Sequence, residues 1–81
     1  FAEITDTFGG KANYSWVTRY KIHANTMRGA VNKLAKNSGI AWRVNSNYED
    51  MMRYDSKSGA TCFFISEYDE EQYANYRMNE I

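Results

Sequence analysis

The sequence predicts an α+β fold, in which a small and mostly antiparallel sheet of four to five strands is covered across one face by a helix at about residues 26–38. A short C-terminal helix completes the predicted element order ββαβββα. Three patterns predict this fold: side chains alternate in character along residues 14–24, an apolar stripe at helical spacing runs through residues 26–38, and consecutive apolar residues fill the centre of residues 60–68. At 81 residues the chain is expected to form a single domain, residues 1–81.

A pair of glycines separates the first two predicted strands. Residues 1–8 are rich in β-branched and aromatic side chains, and Gly9-Gly10 then permits the positive φ angles that a hairpin or loop requires. In residues 14–24 the even positions are mainly aromatic or apolar, whereas the odd positions include three basic residues. Because successive side chains of a strand point to opposite faces, we expect the aromatic face to pack on the helix.

The predicted helix has recognisable signals at both ends. Asn25 or Thr26 can act as the N-cap, and Gly39 lies where many helices end in a left-handed conformation. Between these ends, apolar and small residues recur at helical spacing. This stripe comprises Met27, Ala30, Val31, Leu34, Ala35 and Ser38.

Three further strands are predicted after the helix. Residues 40–44, 51–54 and 60–68 have strand-like composition, and polar turn residues at 45–47 and 56–59 separate them. We expect one contiguous core formed by Trp16, Tyr20, Ile22, Met27, Val31, Leu34, Ile40, Trp42, Cys62 and Phe64.

The composition excludes several classes of protein. Hydrophobic residues make up 43% of the chain and aromatic residues 16%, which is too much for a disordered chain. A single cysteine cannot form an internal disulfide, and no run approaches the roughly 18 apolar residues of a membrane span. We therefore expect a protein of a reducing compartment with no membrane partner.

The charges are distributed unevenly although the formal net charge is zero. Residues 7–48 contain seven Lys or Arg residues and no acid, whereas residues 49–81 contain eight acids and three Lys or Arg residues. The two halves can neutralise each other in the fold. Alternatively, the chain can present a basic patch that binds phosphate, or an acidic patch that imitates phosphate.

No residue pattern predicts catalysis, a metal site or a cofactor. His23 lies on the cationic face of a strand, and Cys62 lies in the most apolar stretch of the chain, where a thiol is unreactive. The acidic groups Glu49-Asp50 and Asp69-Glu70-Glu71 adjoin turn and helix-start signals, where solvated carboxylates are common. We therefore predict that the protein is not an enzyme and uses no cofactor.

Two sets of charged residues are candidates for binding. The acidic candidates surround the start of the C-terminal helix and comprise Glu67, Asp69, Glu70 and Glu71. The basic candidates lie on the hairpin, the second strand and the helix, and comprise Lys11, Arg19, Lys21, Arg28, Lys33 and Lys36.

Four segments carry a resemblance to a known group of proteins. Residues 7–10, 12–17, 19–20 and 26–30 resemble segments of small accessory proteins carried by tailed bacteriophages and their prophages, and the similarity extends over about residues 4–68. The resemblance implies a phage protein in the host cytoplasm and no enzymatic motif. The group includes host-directed binders such as inhibitors of CRISPR effector complexes, and the strand–helix–strand–strand order is similar to that of some such inhibitors.

The leading functional prediction is therefore a non-catalytic, phage-encoded protein that binds a host protein or nucleoprotein complex and inhibits it by occlusion, as an anti-CRISPR protein does. One alternative is a small nucleic-acid-binding module that uses the basic candidates. A second alternative is a structural or assembly protein that forms homo-oligomers through an open sheet edge.

Overall fold

The computed structural model describes all 81 residues, and its main feature is a six-stranded sheet covered on one face by a helix. The longer helix, α1, spans Met27–Ser38, and the shorter one, α2, spans Glu70–Tyr73. The strands are β1 (Ala2–Phe8), β2 (Lys11–Lys21), β3 (Trp42–Asn47), β4 (Met51–Ser56), β5 (Thr61–Ser66) and β6 (Asn79–Glu80).

The order of strands across the sheet is β3-β4-β5-β1-β2-β6. All neighbours are antiparallel except β2 and β6, which are parallel. The α+β class is confirmed, but the predicted count of four to five strands and the order ββαβββα omit β6. This strand has only two residues, and it forms because the chain end pairs with the outer edge of β2. No local pattern in so short a segment predicts such long-range pairing.

The core lies between α1 and the central strands. In the antiparallel register Ala2 faces Ile65 and Ile4 faces Phe63, and the helix buries Leu34 against this layer. Leu34 and Phe63 have no solvent exposure. The apolar stripe of the helix is thus paired with the apolar face of the sheet, as the sequence predicts.

The ends of α1 also agree with the sequence. The Thr26 side chain accepts a hydrogen bond from the Gly29 N–H at 3.0 Å, so Thr26 rather than Asn25 is the N-cap. Gly39 has φ of 69°, and its N–H donates to the Ala35 carbonyl at 3.1 Å. None of the helices is long and apolar enough to span a membrane.

Part of the predicted core is wrong. Trp16 is 45% exposed and Ile40 is 40% exposed, although Leu34 is fully buried, so the register of the sheet is not inverted. Cys62 is buried but lies outside the cluster beneath α1, because β5 directs Phe63 toward the helix and its neighbours to the opposite face. The same alternation places Phe64 on that second face.

The exposure of Trp16 follows from a bulge in β2. Thr5 pairs with Val17 but Thr7 pairs with Ala12, so extra residues of β2 loop out between these two pairs. Within the bulge Tyr14 has φ of 58°, a left-handed conformation that a bulky residue rarely adopts.

Side chains of β1 hold this bulge in place. The Thr5 hydroxyl accepts from the Tyr14 N–H and donates to the Trp16 carbonyl, both at 2.9 Å. The Asp6 carboxylate accepts from Ser15 Oγ at 2.6 Å, from the Ser15 N–H at 3.0 Å and from Asn13 Nδ2 at 2.8 Å. These donors, the Ser15 hydroxyl first and then Asn13, hold the pKa of Asp6 well below its usual range.

Two substitutions separate the real core from the predicted one. Replacing Leu34 by Ala leaves a cavity beneath α1, and we expect it to lower the free energy of unfolding by about 2–5 kcal/mol. Trp16→Ala should cost clearly less, because the indole remains half in solvent. Urea unfolding followed by circular dichroism measures both values, and equal losses would contradict the placement of Trp16 outside the core.

The network around Asp6 predicts a pH-dependent contribution to stability. Because its pKa is lowered only in the folded chain, Asp6 stabilises the fold above the unfolded pKa of about 3.9, and this contribution is lost as the pH falls below that value. Asp6→Asn should therefore lower the Tm at pH 7, and the difference from the wild type should shrink below about pH 4. Asp50→Asn, in the turn before β4, is the matched control and should leave the Tm unchanged; a pH-independent effect of Asp6→Asn would contradict the interpretation.

Candidate binding groove and basic surfaces

A groove of about 790 Å³ lies at the end of the sheet where β4 begins and β5 ends. Its lining contains no Lys, Arg or His. Three lining residues are uncharged and polar: Asn47, Ser66 and Gln72. Seven lining residues are apolar or aromatic: Met27, Tyr48, Met51, Met52, Ile65, Tyr68 and Tyr73. Five lining residues are acidic: Glu49, Asp50, Glu67, Asp69 and Glu70.

Strand register brings the two acidic segments together. Met51 pairs with Ser66 in the antiparallel β4–β5 ladder, so the residues just before Met51 and just after Ser66 lie at the same end of the sheet. A tight turn from β3 to β4 fixes the first segment, with the Tyr48 N–H donating to the Met51 carbonyl at 2.8 Å. Glu49-Asp50 therefore lies beside the connection from β5 to α2.

The second acidic segment is held by α2 and by the first residue of the chain. The Asp69 carboxylate caps α2 by accepting from the Glu71 N–H at 3.0 Å. The Phe1 ring stacks on Tyr73 with centroids 3.8 Å apart, and the Phe1 amino group donates to the Ser66 carbonyl at 2.9 Å. These contacts keep α2 against the end of β5.

The acidic lining residues give the groove a negative formal charge, and carboxylates also affect Tyr68. A hydrogen bond to the Glu70 carboxylate, followed by desolvation and the charges of Glu70, Glu80 and Asp69, raises the pKa of Tyr68. Five acidic residues and no Lys, Arg or His line the groove, so it favours a cationic occupant.

The acidic candidates agree only in part with this groove. Glu67, Asp69 and Glu70 line it, but Glu71 does not. Glu49 and Asp50 are exposed residues of the turn before β4, as the sequence predicts, but they also line the groove and were not among the predicted binding residues. The signal that could have found them is the hairpin itself, because a β4–β5 pairing must bring the start of one strand to the end of the other.

Arg19, Lys21 and His23, on β2 and just after its end, form a basic strip that other parts of the chain contact. Arg19 Nε lies 2.8 Å from Glu3 Oε2, and the Arg19 guanidinium lies 4.9 Å from the centre of the Tyr76 ring. Lys21 Nζ lies 4.4 Å from the centre of the Tyr68 ring. The C-terminal segment thus covers cations that the sequence left open for phosphate.

His23 is partnered in the same way. Its Nε2 atom lies 3.6 Å from Glu80 Oε1, where β6 runs beside β2. Glu80 therefore places a negative charge beside the basic strip, and this charge opposes the binding of an anion there.

The remaining basic candidates do not form one patch. Lys11 lies at the β1–β2 hairpin, at the opposite end of β2 from Lys21. Lys33 donates to the His23 carbonyl at 3.1 Å. Arg28 and Lys36 lie in the first and last turns of α1. The six predicted basic residues are therefore dispersed over two elements, the two ends of β2 and α1.

The surroundings of the Cys62 thiol and the arrangement of possible metal ligands bear on catalysis. Cys62 has no solvent exposure, and burial raises the pKa of its thiol, which disfavours the reactive thiolate. No group of three or more His, Cys, Asp or Glu residues is arranged to hold a metal ion. The carboxylates of the groove supply negative charge and hydrogen-bond acceptors.

No protein family, curated protein or solved structure matches the chain.

Removing the carboxylates beside the basic strip should leave its positive charge unneutralised and strengthen its binding to DNA. In Glu3→Gln with Glu80→Gln, Arg19 and His23 lose their carboxylates, and we expect the affinity for duplex DNA at low salt to rise by about tenfold. Glu49→Gln with Asp50→Asn changes the net charge equally but lies in the turn before β4, away from the strip, and it should have a smaller effect. Gel shifts at two salt concentrations measure both, and equal gains would show that only net charge matters.

Proposed function

We propose that the protein is a non-catalytic binding protein whose acidic groove docks on a basic, nucleic-acid-binding surface of a host protein or nucleoprotein complex and blocks it by occlusion. One observation carries the proposal: five acidic residues line the groove, and no Lys, Arg or His does. In the phage setting that the resemblance implies, the target is a CRISPR effector complex in the host cytoplasm.

The charge distribution supports a local rather than a long-range attraction. The formal net charge is zero, so the whole molecule gains little from approaching a polyanion. A compact set of carboxylates, however, imitates the charge of several phosphates. Basic grooves that bind nucleic acid rely on such phosphate contacts for most of their affinity, so they are suited to receive it.

The apolar floor of the groove supports a protein as the partner. Methionine and tyrosine side chains, such as Met51 and Tyr68, are common at protein interfaces because they supply adaptable or amphipathic contact area. A nucleic acid would instead meet the repulsion of the carboxylates at this site.

The surroundings of Cys62 and His23, the two residues best suited to nucleophilic chemistry, support a non-catalytic role. Cys62 is buried with a raised pKa, and His23 lies near Glu80 on the far strand edge. Neither offers an accessible nucleophile paired with a base.

Charge reversal on the two sides of the molecule tests the proposal. In Glu49→Lys with Glu70→Lys the groove loses most of its negative charge, and we expect inhibition of target-DNA binding by purified CRISPR effector complexes to require at least about tenfold more protein. Lys33→Glu with Lys36→Glu changes the net charge by an equal amount in the opposite direction, on the helix rather than in the groove, and it should inhibit like the wild type.

The nucleic-acid alternative makes the opposite prediction. Tight, salt-sensitive binding of the wild type to random duplex DNA, lost in Arg19→Glu with Lys21→Glu, would contradict the proposal and support a nucleic-acid-binding module. Gel shifts with free DNA and RNA at two salt concentrations distinguish the two functions.

A further inference from the structure

The tip of the β1–β2 hairpin exposes a large apolar side chain. Phe8 is 79% exposed, more than any other large hydrophobic residue of the chain. It is followed by Gly9 and Gly10, and nothing lies within 4 Å of the positions that a Cβ atom would take at either glycine. The tip therefore projects into solvent, and burial of the Phe8 ring would favour association.

Two exposed lysines lie at the same end of the molecule, where the carboxylates of Asp6 and Asp55 are held by hydrogen bonds to Ser15 and Arg53. Lys11 pairs with Phe8 across the hairpin, and Lys57 lies in the adjacent β4–β5 turn, which is tied to the hairpin by the hydrogen bond from the Thr7 N–H to the Ala60 carbonyl at 3.1 Å. Both lysines are exposed. The Arg53 side chain also reaches the tip and donates to the Gly10 carbonyl at 2.7 Å.

The tip and the acidic groove lie at opposite ends of one molecule. Strand β1 begins at Ala2, which pairs with the groove residue Ile65, and it ends at Phe8. Seven strand residues span roughly 20 Å. A tip therefore cannot reach the groove of its own chain.

We propose that the hairpin tip of one copy docks in the acidic groove of a second copy. The two surfaces are complementary: an exposed aromatic ring with lysines beside it meets a groove that combines apolar side chains with five carboxylates. A groove of about 790 Å³ has room for an aromatic ring and a lysine chain.

The contact is head-to-tail, because each copy offers a tip at one end and a groove at the other. Such a heterologous contact forms a ring if the rotation between copies closes, and otherwise an open filament. The contact goes beyond the proposed function, since it needs no host partner. It also covers the groove, so the self-associated form and the partner-bound form exclude each other.

Sedimentation of the purified protein tests the contact without any host molecule. The wild type should associate with rising concentration at low salt, and about 0.5 M salt should weaken the association because it screens the charges. Phe8→Ser with Lys11→Glu removes the tip, and Glu49→Lys with Glu70→Lys removes the groove. Each double variant should raise the dissociation constant by at least about tenfold. All four positions are exposed, and circular dichroism checks that each variant is folded.

A mixture of the two variants gives the decisive result. The tip variant keeps its groove and the groove variant keeps its tip, so together they can form one contact and no more. We expect a one-to-one heterodimer that does not grow. A wild type that stays monomeric up to about 1 mM at low salt, or a mixture that forms no heterodimer, would overturn the proposal.

Discussion

The placement of β5 between β1 and β4 is the constraint on which the rest of the structure depends. On one face of this strand Phe63 and Ile65 form the layer that Leu34 of α1 covers. At its end, the pairing of Ser66 with Met51 brings the turn before β4 beside the segment that leads to α2. The same register therefore closes the core and gathers the carboxylates, so a shift of one residue would disrupt both.

The sequence predicts those features that depend on near neighbours. The stripe and caps of α1 repeat within three or four residues, and the alternation that directs Tyr20 to the core repeats every two. The bulge at Tyr14 and the strand β6 depend on Thr5, Asp6 and the far edge of β2. Contacts of this kind leave no periodic signal, so the exposure of Trp16 could not be predicted.

The candidate site, like the fold, was predictable only where its residues are near neighbours in the sequence. The pattern that marked Glu67, Asp69 and Glu70 is local, since these residues surround the start of a helix. The pattern that marked Arg19 and Lys21 is also local. The alternation of side chains along a strand shows which face of the sheet a side chain lies on, but it does not show which other residues contact that face. Tyr68, Tyr76 and Glu80 of the C-terminal segment lie against that face. Residues far apart in sequence thus decide which charged surface is left open.

An NMR titration of the isotope-labelled protein tests most directly whether the acidic groove is the interaction surface. A lysine-rich peptide and a short DNA duplex are added separately at physiological salt, and amide shift changes are mapped on the chain. With the peptide, we expect changes at residues 48–51 and 66–73, and with the duplex, no saturable change. Saturable changes along β2 on addition of the duplex, with none in the groove on addition of the peptide, would contradict this conclusion.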